Sequence, residues 1–349
     1  MNSRSPRPKA GAVTIADVAA ASGFSPMTVS RVINNDTKVR ESTRLLVQRA
    51  IAALNYSPNL AARSLAGADQ MRIGLLYSNP SAAYLSRYLL GSLEQARAAH
   101  VELIVVKCDS GEQGEEEAIR ELLSSGVDGV ILSEPMCDSP RILELFAQFD
   151  TLVVAVGNWR PSSRMSVVRI DDREAAAEMT RHIISLGHRR IGLIIGNALH
   201  MASEARRQGF EAAMRGAGLA VPPEYMVQGH FTYRSGLEAA AALLDLPERP
   251  TAIFASNDDM AAATIAVAHR RNLDVPNDLT VCGFDDTDFA QSIWPELTTI
   301  HQPIAEMSRA AVDMLIDQIR AYRAGRNETG RDQLLDYKLV LRDSAGPPG

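Results

Sequence analysis

Short apolar segments alternate with longer amphipathic segments from Met71 onward, and this alternation restricts the fold more than any other feature of the sequence. Val-, Ile- and Leu-rich strands that alternate with helices are typical of parallel sheets covered by helices on both faces. The alternation runs through two successive series, so we expect an α/β body of two similar lobes, each built on a doubly wound parallel sheet. The predicted strands are 72–77, 101–107, 127–132 and 151–156 in the first series, and 190–195, 226–229, 251–255 and 279–284 in the second.

The helices between these strands follow from apolar residues at helical spacing. They are predicted at 86–99, 115–124, 173–186, 203–216, 233–244 and 258–270, before a last helix at 303–324 and a terminal strand at 335–341. Open parallel sheets bind ligands beyond the carboxyl ends of their strands. A chain with two such lobes is therefore expected to bind a ligand in the cleft between them.

The first 66 residues differ in charge from the rest of the chain. They hold nine Lys and Arg against three Asp and Glu, a charge of +6, whereas the whole chain carries −6. A small basic segment on an acidic body favours contact with a polyanion such as nucleic acid. The alternative is a solvated basic tail that binds nothing.

Two short helices joined by a tight turn are predicted within this basic segment. Gly23 suits a sharp turn between helices, Ser25 suits an N-cap, and Pro26 suits the first helical position. A third helix is predicted at 42–54, with Leu46 among its inward-facing residues. Residues 60–66 are predicted to form a further helix, and because a helix this short is unstable by itself, we expect it to fold only against a partner.

Several function classes are disfavoured by the sequence. It has no apolar run of 18 residues, no apolar signal segment in its first twelve residues, and three widely separated cysteines without zinc or disulfide spacing. We therefore predict a cytoplasmic protein. Phosphate-loop, metal-ligand and serine-nucleophile patterns are missing as well, so we predict no enzyme activity, no metal and no cofactor.

Motifs along nearly the whole chain resemble the lactose/galactose-repressor family of bacterial transcription regulators. These motifs are TIADVA (14–19), TVSRVIN (28–34), LNYSPN (54–59), ARSL (62–65), LGHRRIG (186–192), SND (256–258), GFDD (283–286) and LTTIHQP (297–303). The resemblance implies an N-terminal all-α helix-turn-helix domain, a hinge helix and a body similar to periplasmic sugar-binding proteins. It also implies a homodimer that binds double-stranded operator DNA.

The resemblance divides the chain into four parts. They are a disordered tail at 1–12, a helix-turn-helix domain at 13–57, a hinge helix at 58–68, and an effector-binding and dimerisation domain at 69–349. Within the last part we expect lobe 1 at 71–158 and 288–322, and lobe 2 at 159–287 and 323–341.

The resemblance also implies which residues contact DNA. Bases would be contacted by Pro26, Met27 and Arg31, with Arg31 suited to a bidentate contact with guanine. Phosphates would be contacted by Thr14, Ser25, Thr28, Ser30 and Asn34. In the hinge, Leu65 would wedge into the minor groove, with Asn59, Ala62 and Arg63 beside it. The alternative for Leu65 is packing against the body.

An effector site is implied between the lobes. Arg206, Asn257 and Asp285 suit a polyhydroxylated ligand, and Phe231 suits the apolar face of a sugar ring. Asp138 and Tyr84 are further candidates. Alternatives are that Asp285 caps the following helix and that Phe231 belongs to the core.

Two departures from the family pattern concern this site. The first loop of the body is about three residues longer than usual, which places Tyr84 where the family has other aromatics, and Asp172 stands where the family often has Asn. These features predict an altered pocket, so the identity of the effector stays open.

The resulting hypothesis is a transcriptional repressor of a carbohydrate-utilisation operon, controlled by a sugar or sugar derivative. Two alternatives remain open: a solute-binding protein without a regulatory role, and an architectural DNA-binding protein without an effector. The sequence leaves open whether the effector releases or tightens DNA binding.

Overall fold

The computed structural model describes residues 15–33, 39–54, 71–108, 111–149, 151–157, 165–326 and 329–349. The chain divides into two compact units, residues 1–70 and residues 71–349. None of the helices within the described ranges is both long and apolar enough to cross a membrane.

The first unit contains three helices, α1 (Ile15–Ser22), α2 (Pro26–Ile33) and α3 (Glu41–Ala53). The turn between α1 and α2 forms as the sequence predicts, because Gly23 adopts a positive φ of 75°. The Ser25 hydroxyl accepts a hydrogen bond from the backbone N–H of Thr28 at 3.2 Å, which is an N-cap contact.

A small apolar core holds these helices together. Val18, Val29, Val32 and Val47 are buried in it. The prediction that Leu46 faces inward is wrong, since its exposed fraction is 49%. Inward positions on α3 repeat three and four residues apart from Val47, and Leu46 is rotated by about 100° from that face.

The second unit contains two parallel sheets and a short antiparallel pair. Its strands are β1 (Arg72–Tyr77), β2 (Glu102–Lys107), β3 (Gly129–Ser133), β4 (Leu152–Val156), β5 (Ser166–Arg169), β6 (Ile191–Ile195), β7 (Met226–Gln228), β8 (Ala252–Ala255), β9 (Thr280–Cys282), β10 (Thr299–His301), β11 (Asp332–Leu334) and β12 (Lys338–Val340). The first sheet has the order β11-β5-β4-β3-β1-β2, the second has the order β7-β6-β8-β9, and β10 pairs with β12. The predicted fold class is therefore confirmed.

Helices cover these sheets. They are α4 (Ala82–Ala98), α5 (Glu112–Ser124), α6 (Pro140–Gln148), α7 (Asp172–Ser185), α8 (Met201–Gly216), α9 (Tyr233–Leu244), α10 (Asp258–Arg270), α11 (Phe289–Ser292) and α12 (Ile304–Arg323). The bounds of β1, α9 and α10 are those that the sequence predicts. The sequence analysis missed α6, and it placed the start of α4 four residues too late.

The division between the lobes differs from the expected one in two places. First, β5 and β11 belong to the first sheet, although residues 159–287 and 323–341 were assigned to lobe 2. β11 is an edge strand whose three residues are all exposed, so no apolar pattern marks it. A salt bridge from Arg169 to Asp332, at 2.7 Å, fastens it to β5.

Second, the segment after residue 288 belongs to lobe 2 for longer than expected. Ala290 and Leu297 pack in the same core cluster as Met260 of α10. Among the elements after residue 288, it is α12 that packs on β3, β4 and β5 of the first sheet. The chain therefore returns to lobe 1 near residue 302 rather than near residue 288.

Candidate functional site

Two regions carry the residues that the sequence analysis selected, and one of them is α2 in the first unit. Pro26, Met27 and Arg31 are exposed there, and Met27 has an exposed fraction of 67%. Val29 and Val32, on the opposite face, are buried. An exposed methionine beside an arginine gives α2 a mixed apolar and cationic face that can contact base edges.

The other DNA-contact predictions divide between described and undescribed positions. Ser25 is exposed, and its hydroxyl lies 3.0 Å from the hydroxyl of Thr28, whereas Thr28 and Ser30 are half-buried. Thr14, Asn34, Asn59, Ala62, Arg63 and Leu65 lie outside the described residues.

The second region is a pocket between the two lobes of residues 71–349. Its walls come from segments that follow the carboxyl ends of β1, β3, β4, β6, β7, β8 and β9. Among the predicted effector residues, Tyr84, Arg206, Phe231, Asn257 and Asp285 line it. The pocket therefore lies at the carboxyl ends of the parallel strands, which is the edge where the sequence predicts it.

Arg206, from α8, is the most constrained residue in this pocket, with an exposed fraction of 4%. Its Nε donates to Asp172 Oδ1 at 2.8 Å, its Nη1 to the carbonyl of Ser256 at 2.6 Å, and its Nη2 to Gln302 at 3.4 Å. Its guanidinium also lies 3.6 Å from the centre of the Phe284 ring. These contacts fix its orientation before any ligand arrives.

Asp172 takes part in the pocket through this ion pair. Burial raises the pKa of its carboxyl, although Arg206 opposes that rise. Position 172 is often Asn in the family. Because it is Asp in this chain, the partner of Arg206 in the pocket wall is a carboxylate rather than a neutral amide. The sequence analysis noted this departure but did not connect it with Arg206.

Asp285 follows β9 and points into the same pocket. It adopts a positive φ of 109°, an unusual conformation for a residue other than glycine. Its Oδ1 lies 3.8 Å from Arg206 Nη1 and accepts no hydrogen bond from any described residue. Burial raises its pKa well above the ordinary value. Asp285 does not cap the next helix, because Asp288 holds the N-cap position of α11.

Asn257 both lines the pocket and caps α10. Its Oδ1 accepts from the backbone N–H of Met260 at 3.0 Å, and its Nδ2 donates to the carbonyl of Phe231 at 3.0 Å. The sequence analysis missed this structural role, although an Asn directly before a predicted helix is a common N-cap signal.

Phe231 both lines the pocket and packs in the hydrophobic core of lobe 2. Its ring meets His200 edge to face at 5.2 Å between ring centres. Gly196 is required opposite it, since a Cβ there would overlap the ring. Tyr84 lines the opposite wall and stacks on Tyr88 at 6.3 Å between ring centres.

Asp138 does not line this pocket, so the structure places it differently from the prediction. Its Oδ2 accepts instead from the backbone N–H of Met201, the first residue of α8, at 3.2 Å. A carboxylate at a helix N-terminus is favourable, because unpaired N–H groups and the helix dipole point toward it. Asp138 thus joins lobe 1 to lobe 2 just beside the pocket.

Glu134 is an acidic pocket residue that the sequence did not predict. It follows β3 directly, and its side chain is buried with an exposed fraction of 7%. Its Oε2 accepts from the backbone N–H of Ala202 at 3.2 Å, whereas its Oε1 has no hydrogen-bond partner among the described residues. Burial, assisted by Asp172, raises its pKa to about 8. A charged residue immediately after a buried strand was the signal available in the sequence.

His200 precedes α8 and also lines the pocket. Its Nδ1 lies 3.6 Å from Glu134 Oε2, and burial lowers its pKa to about 4. The imidazole is therefore neutral near pH 7 and adds no positive charge to the pocket.

Comparisons with known proteins agree with this arrangement. Residues 14–59 match the model of bacterial regulatory proteins of the lacI family, and residues 180–345 match a periplasmic binding protein-like domain. The chain is 32% identical over 334 residues to the HTH-type transcriptional repressor CytR of Escherichia coli K12, covering 95% of this chain and 96% of that repressor.

Two solved structures extend the likeness to the fold of nearly the whole chain. One is the transcriptional regulator CelR in complex with cellobiose, with a TM-score of 0.72, 29% identity, and coverage of 95% of this chain and 99% of CelR. The other is the lac repressor dimer bound to operator and the anti-inducer ONPF, with a TM-score of 0.73, 27% identity, and coverage of 96% of this chain and 100% of that chain. The chain therefore belongs to the lacI family of bacterial regulatory proteins.

Proposed function

We propose that this protein is a sequence-specific DNA-binding transcriptional repressor whose DNA affinity is controlled by a small ligand bound between the two lobes. The observation that carries the proposal is the pocket itself. Both lobes contribute to it, and it contains buried carboxylate oxygens that no described residue satisfies. Buried polar atoms are nearly always hydrogen-bonded in folded proteins, so such atoms in a pocket indicate a ligand.

Contacts across the cleft support control by lobe movement. Ser81 of lobe 1 donates to Asp259 Oδ2 of lobe 2 at 2.7 Å, and Glu134 and Asp138 of lobe 1 accept from the first turn of α8. A ligand that satisfies Glu134 and Asp285 together favours the arrangement in which the lobes are close. A ligand shifts this equilibrium only by the difference between its affinities for the two arrangements.

The DNA-binding half of the proposal rests on the exposed face of α2. Arg31 would donate two hydrogen bonds to a guanine, and Met27 would contact a thymine methyl group. Ser25, Thr28 and Ser30 would contact phosphates, which set the register rather than the sequence. The hinge contacts by Asn59, Ala62, Arg63 and Leu65, and the phosphate contacts by Thr14 and Asn34, remain predictions.

The proposed oligomeric state and effector class are inferred from the similar solved structures. The lac repressor structure holds a dimer on its operator, and CelR holds cellobiose. By the same arrangement this chain would act as a homodimer on a pseudo-palindromic operator, with a sugar or sugar derivative as effector and a carbohydrate-utilisation operon as target. We also propose that the protein catalyses no reaction. We propose further that it is cytoplasmic and associates with the nucleoid.

A genomic binding experiment tests this function. The full-length protein is mixed with sheared genomic DNA, bound fragments are sequenced, and the affinity for the enriched site is measured against a panel of sugars. We expect one enriched pseudo-palindrome and at least one sugar that changes its affinity. Failure to enrich any site favours a solute-binding protein, whereas enrichment without any ligand response favours an architectural protein.

A further inference from the structure

The charged side chains that line the pocket do not balance. Glu134, Asp172 and Asp285 are acidic, Arg206 is the one cation on the described walls, and His200 is neutral. Arg206 is bound directly to Asp172, so these two charges cancel each other. Of the other two carboxyl groups, one from each lobe, Asp285 lies 3.8 Å from Arg206 without a hydrogen bond to it, and Glu134 lies 3.6 Å from the neutral His200.

Three acceptor atoms on the walls are also left without hydrogen bonds. They are Glu134 Oε1, Asp285 Oδ1 and Ser133 Oγ, and no described residue donates to any of them. The two acidic residues are at least nine-tenths buried, with exposed fractions of 7% and 3%. Leaving a buried acceptor unpaired is costly, and the cost is larger for a charged group. When these carboxyl groups are ionised, hydrogen-bond donors of a ligand would satisfy them.

An anionic ligand does not suit this pocket. Three of the five N–H groups of Arg206 already donate, to Asp172, Ser256 and Gln302, so at most two remain for a ligand carboxylate or phosphate. Burial is the largest cause of the raised pKa of Asp285, and repulsion from Asp258 and Asp259 adds to it. An anion in the pocket would lie beside carboxyl groups of both lobes and would oppose their ionisation.

We propose that the effector carries a protonated amine on a polyhydroxylated frame, as an amino sugar does, and that Glu134 and Asp285 accept hydrogen bonds from its ammonium group. An ammonium group has three N–H donors and no acceptor, which matches unpaired acceptors on both lobes. The apolar face of the frame would lie on Phe231. This inference rests on the proposed function, because it identifies the ligand class of the same pocket.

Binding of a cationic ligand in this pocket is expected to release a proton. The titratable groups that lie near Glu134 are Asp172, Arg206, His200, Tyr84 and Cys137. Burial, assisted by Asp172, raises the pKa of Glu134 to about 8, so it holds a proton near pH 7. An ammonium group beside it lowers that pKa, and the carboxyl releases its proton as the ligand binds. A neutral sugar brings no charge to drive this release.

Calorimetry on the full-length protein at pH 7 tests the proposal. The probes are glucosamine, galactosamine and mannosamine, each paired with its neutral parent sugar and its N-acetyl derivative, and each titrated in two buffers of different ionisation enthalpy. We expect at least one amino sugar to bind tenfold or more tightly than both matched neutral compounds, with net proton release.

Glu134→Gln and Asp138→Asn form the matched pair of variants. The amide oxygen of the Glu134→Gln side chain can still accept from the backbone N–H of Ala202, but the side chain carries no charge, so this variant should lose the tenfold preference. Asp138→Asn removes a carboxylate that bonds the same helix terminus outside the pocket, so the preference should persist. Asp285→Asn, with circular dichroism to verify folding, repeats the test from the other lobe.

The inference is overturned if neutral or acidic sugars bind as tightly as the amino sugars, if none of the three amino sugars binds, or if Glu134→Gln keeps the preference. Failure of the proposed function can be distinguished from failure of this inference. An amino sugar that binds without changing affinity for the enriched DNA site supports this inference and contradicts ligand control, whereas a neutral sugar that changes DNA affinity supports ligand control and contradicts this inference.

Discussion

Arg31 on α2 and Arg206 in the pocket are both predicted to recognise a ligand, and their surroundings differ in every respect. Arg31 is exposed on a helix face beside an exposed methionine, whereas Arg206 has an exposed fraction of 4% and donates to three protein groups. Interactions of an exposed arginine contribute little to the free energy of folding, because solvent screens them. A buried arginine contributes to folding at all times, because its removal leaves a buried carboxylate without a partner.

The comparison predicts that Arg206→Ala has the largest effect of the changes considered. It leaves Asp172 uncompensated, so we expect the free energy of unfolding of residues 71–349 to fall by about 3–5 kcal/mol. Ligand response should also be lost while operator affinity at low temperature is retained. Urea denaturation and DNA-binding titrations of the full-length protein measure both effects.

Arg169→Ala is the matched control for this change. Arg169 also pairs with an aspartate, Asp332, but both side chains are partly exposed, so we expect a loss of about 1 kcal/mol or less. Equal losses in the two variants would mean that burial does not distinguish the two arginines.

The pH dependence of stability tests the protonation of Glu134, whose carboxyl group lies in the same pocket as Arg206. Burial raises the pKa of Glu134 to about 8, so between about pH 4.5 and pH 8 the folded protein holds a proton that the unfolded chain releases. The folded state binds more protons there, so stability falls as the pH rises through this range.

Glu134→Gln should remove this part of the pH dependence. We expect the variant to gain on the order of 3 kcal/mol relative to the wild type between pH 5 and pH 8, measured by urea denaturation without added ligand. Asp285 and Asp258, whose pKa values are also raised, contribute equally to both proteins. Parallel pH curves for the two proteins would contradict the assignment of a buried proton to Glu134.

Arg31→Ala should change recognition, with a loss of stability of about 1 kcal/mol or less, because Arg31 is exposed. Loss of a bidentate contact with guanine costs about 1–3 kcal/mol of discrimination at one base pair. Competition binding with operators substituted at single positions measures this loss. Arg49→Ala, which alters an exposed arginine on α3, is the control and should keep full discrimination. Unchanged discrimination in Arg31→Ala would remove Arg31 from the predicted base contacts.

The two regions also differ in how far sequence reasoning reaches. Local patterns predicted the cap and turn around Ser25 and Gly23, and apolar runs predicted β1, because the physical cause of each lies within a few residues. The pairing of Arg206 with Asp172 joins residues 34 positions apart, and Glu134 meets Ala202 across the cleft. The first pair depends on how α7 packs against α8, the second depends on how the lobes meet, and no spacing in the sequence encodes either.

Edge strands show the same limit within the fold. β5 has four residues, and β11 has three exposed ones, so neither produces an apolar run that stands out from a loop. β5 joins the first sheet by pairing with β4, and β11 joins it by pairing with β5, to which the Arg169–Asp332 salt bridge also connects it. The expected lobe boundaries therefore failed where strands are too short or too exposed to produce an apolar run.

The smallest expected effect concerns the cap of α2, and it sharpens the contrast between an exposed recognition helix and a buried pocket. Ser25→Ala removes the hydroxyl that accepts from Thr28, so we expect residues 1–70 to lose about 1 kcal/mol of stability. Ser25→Asp keeps a capping acceptor and should keep that stability, yet it places a negative charge where a phosphate contact is predicted. Hydrogen exchange of the α2 amides and operator affinity therefore separate the two roles: Ala should accelerate exchange, whereas Asp should weaken binding with normal exchange. If Asp binds operator as tightly as the wild type, Ser25 serves only as a cap.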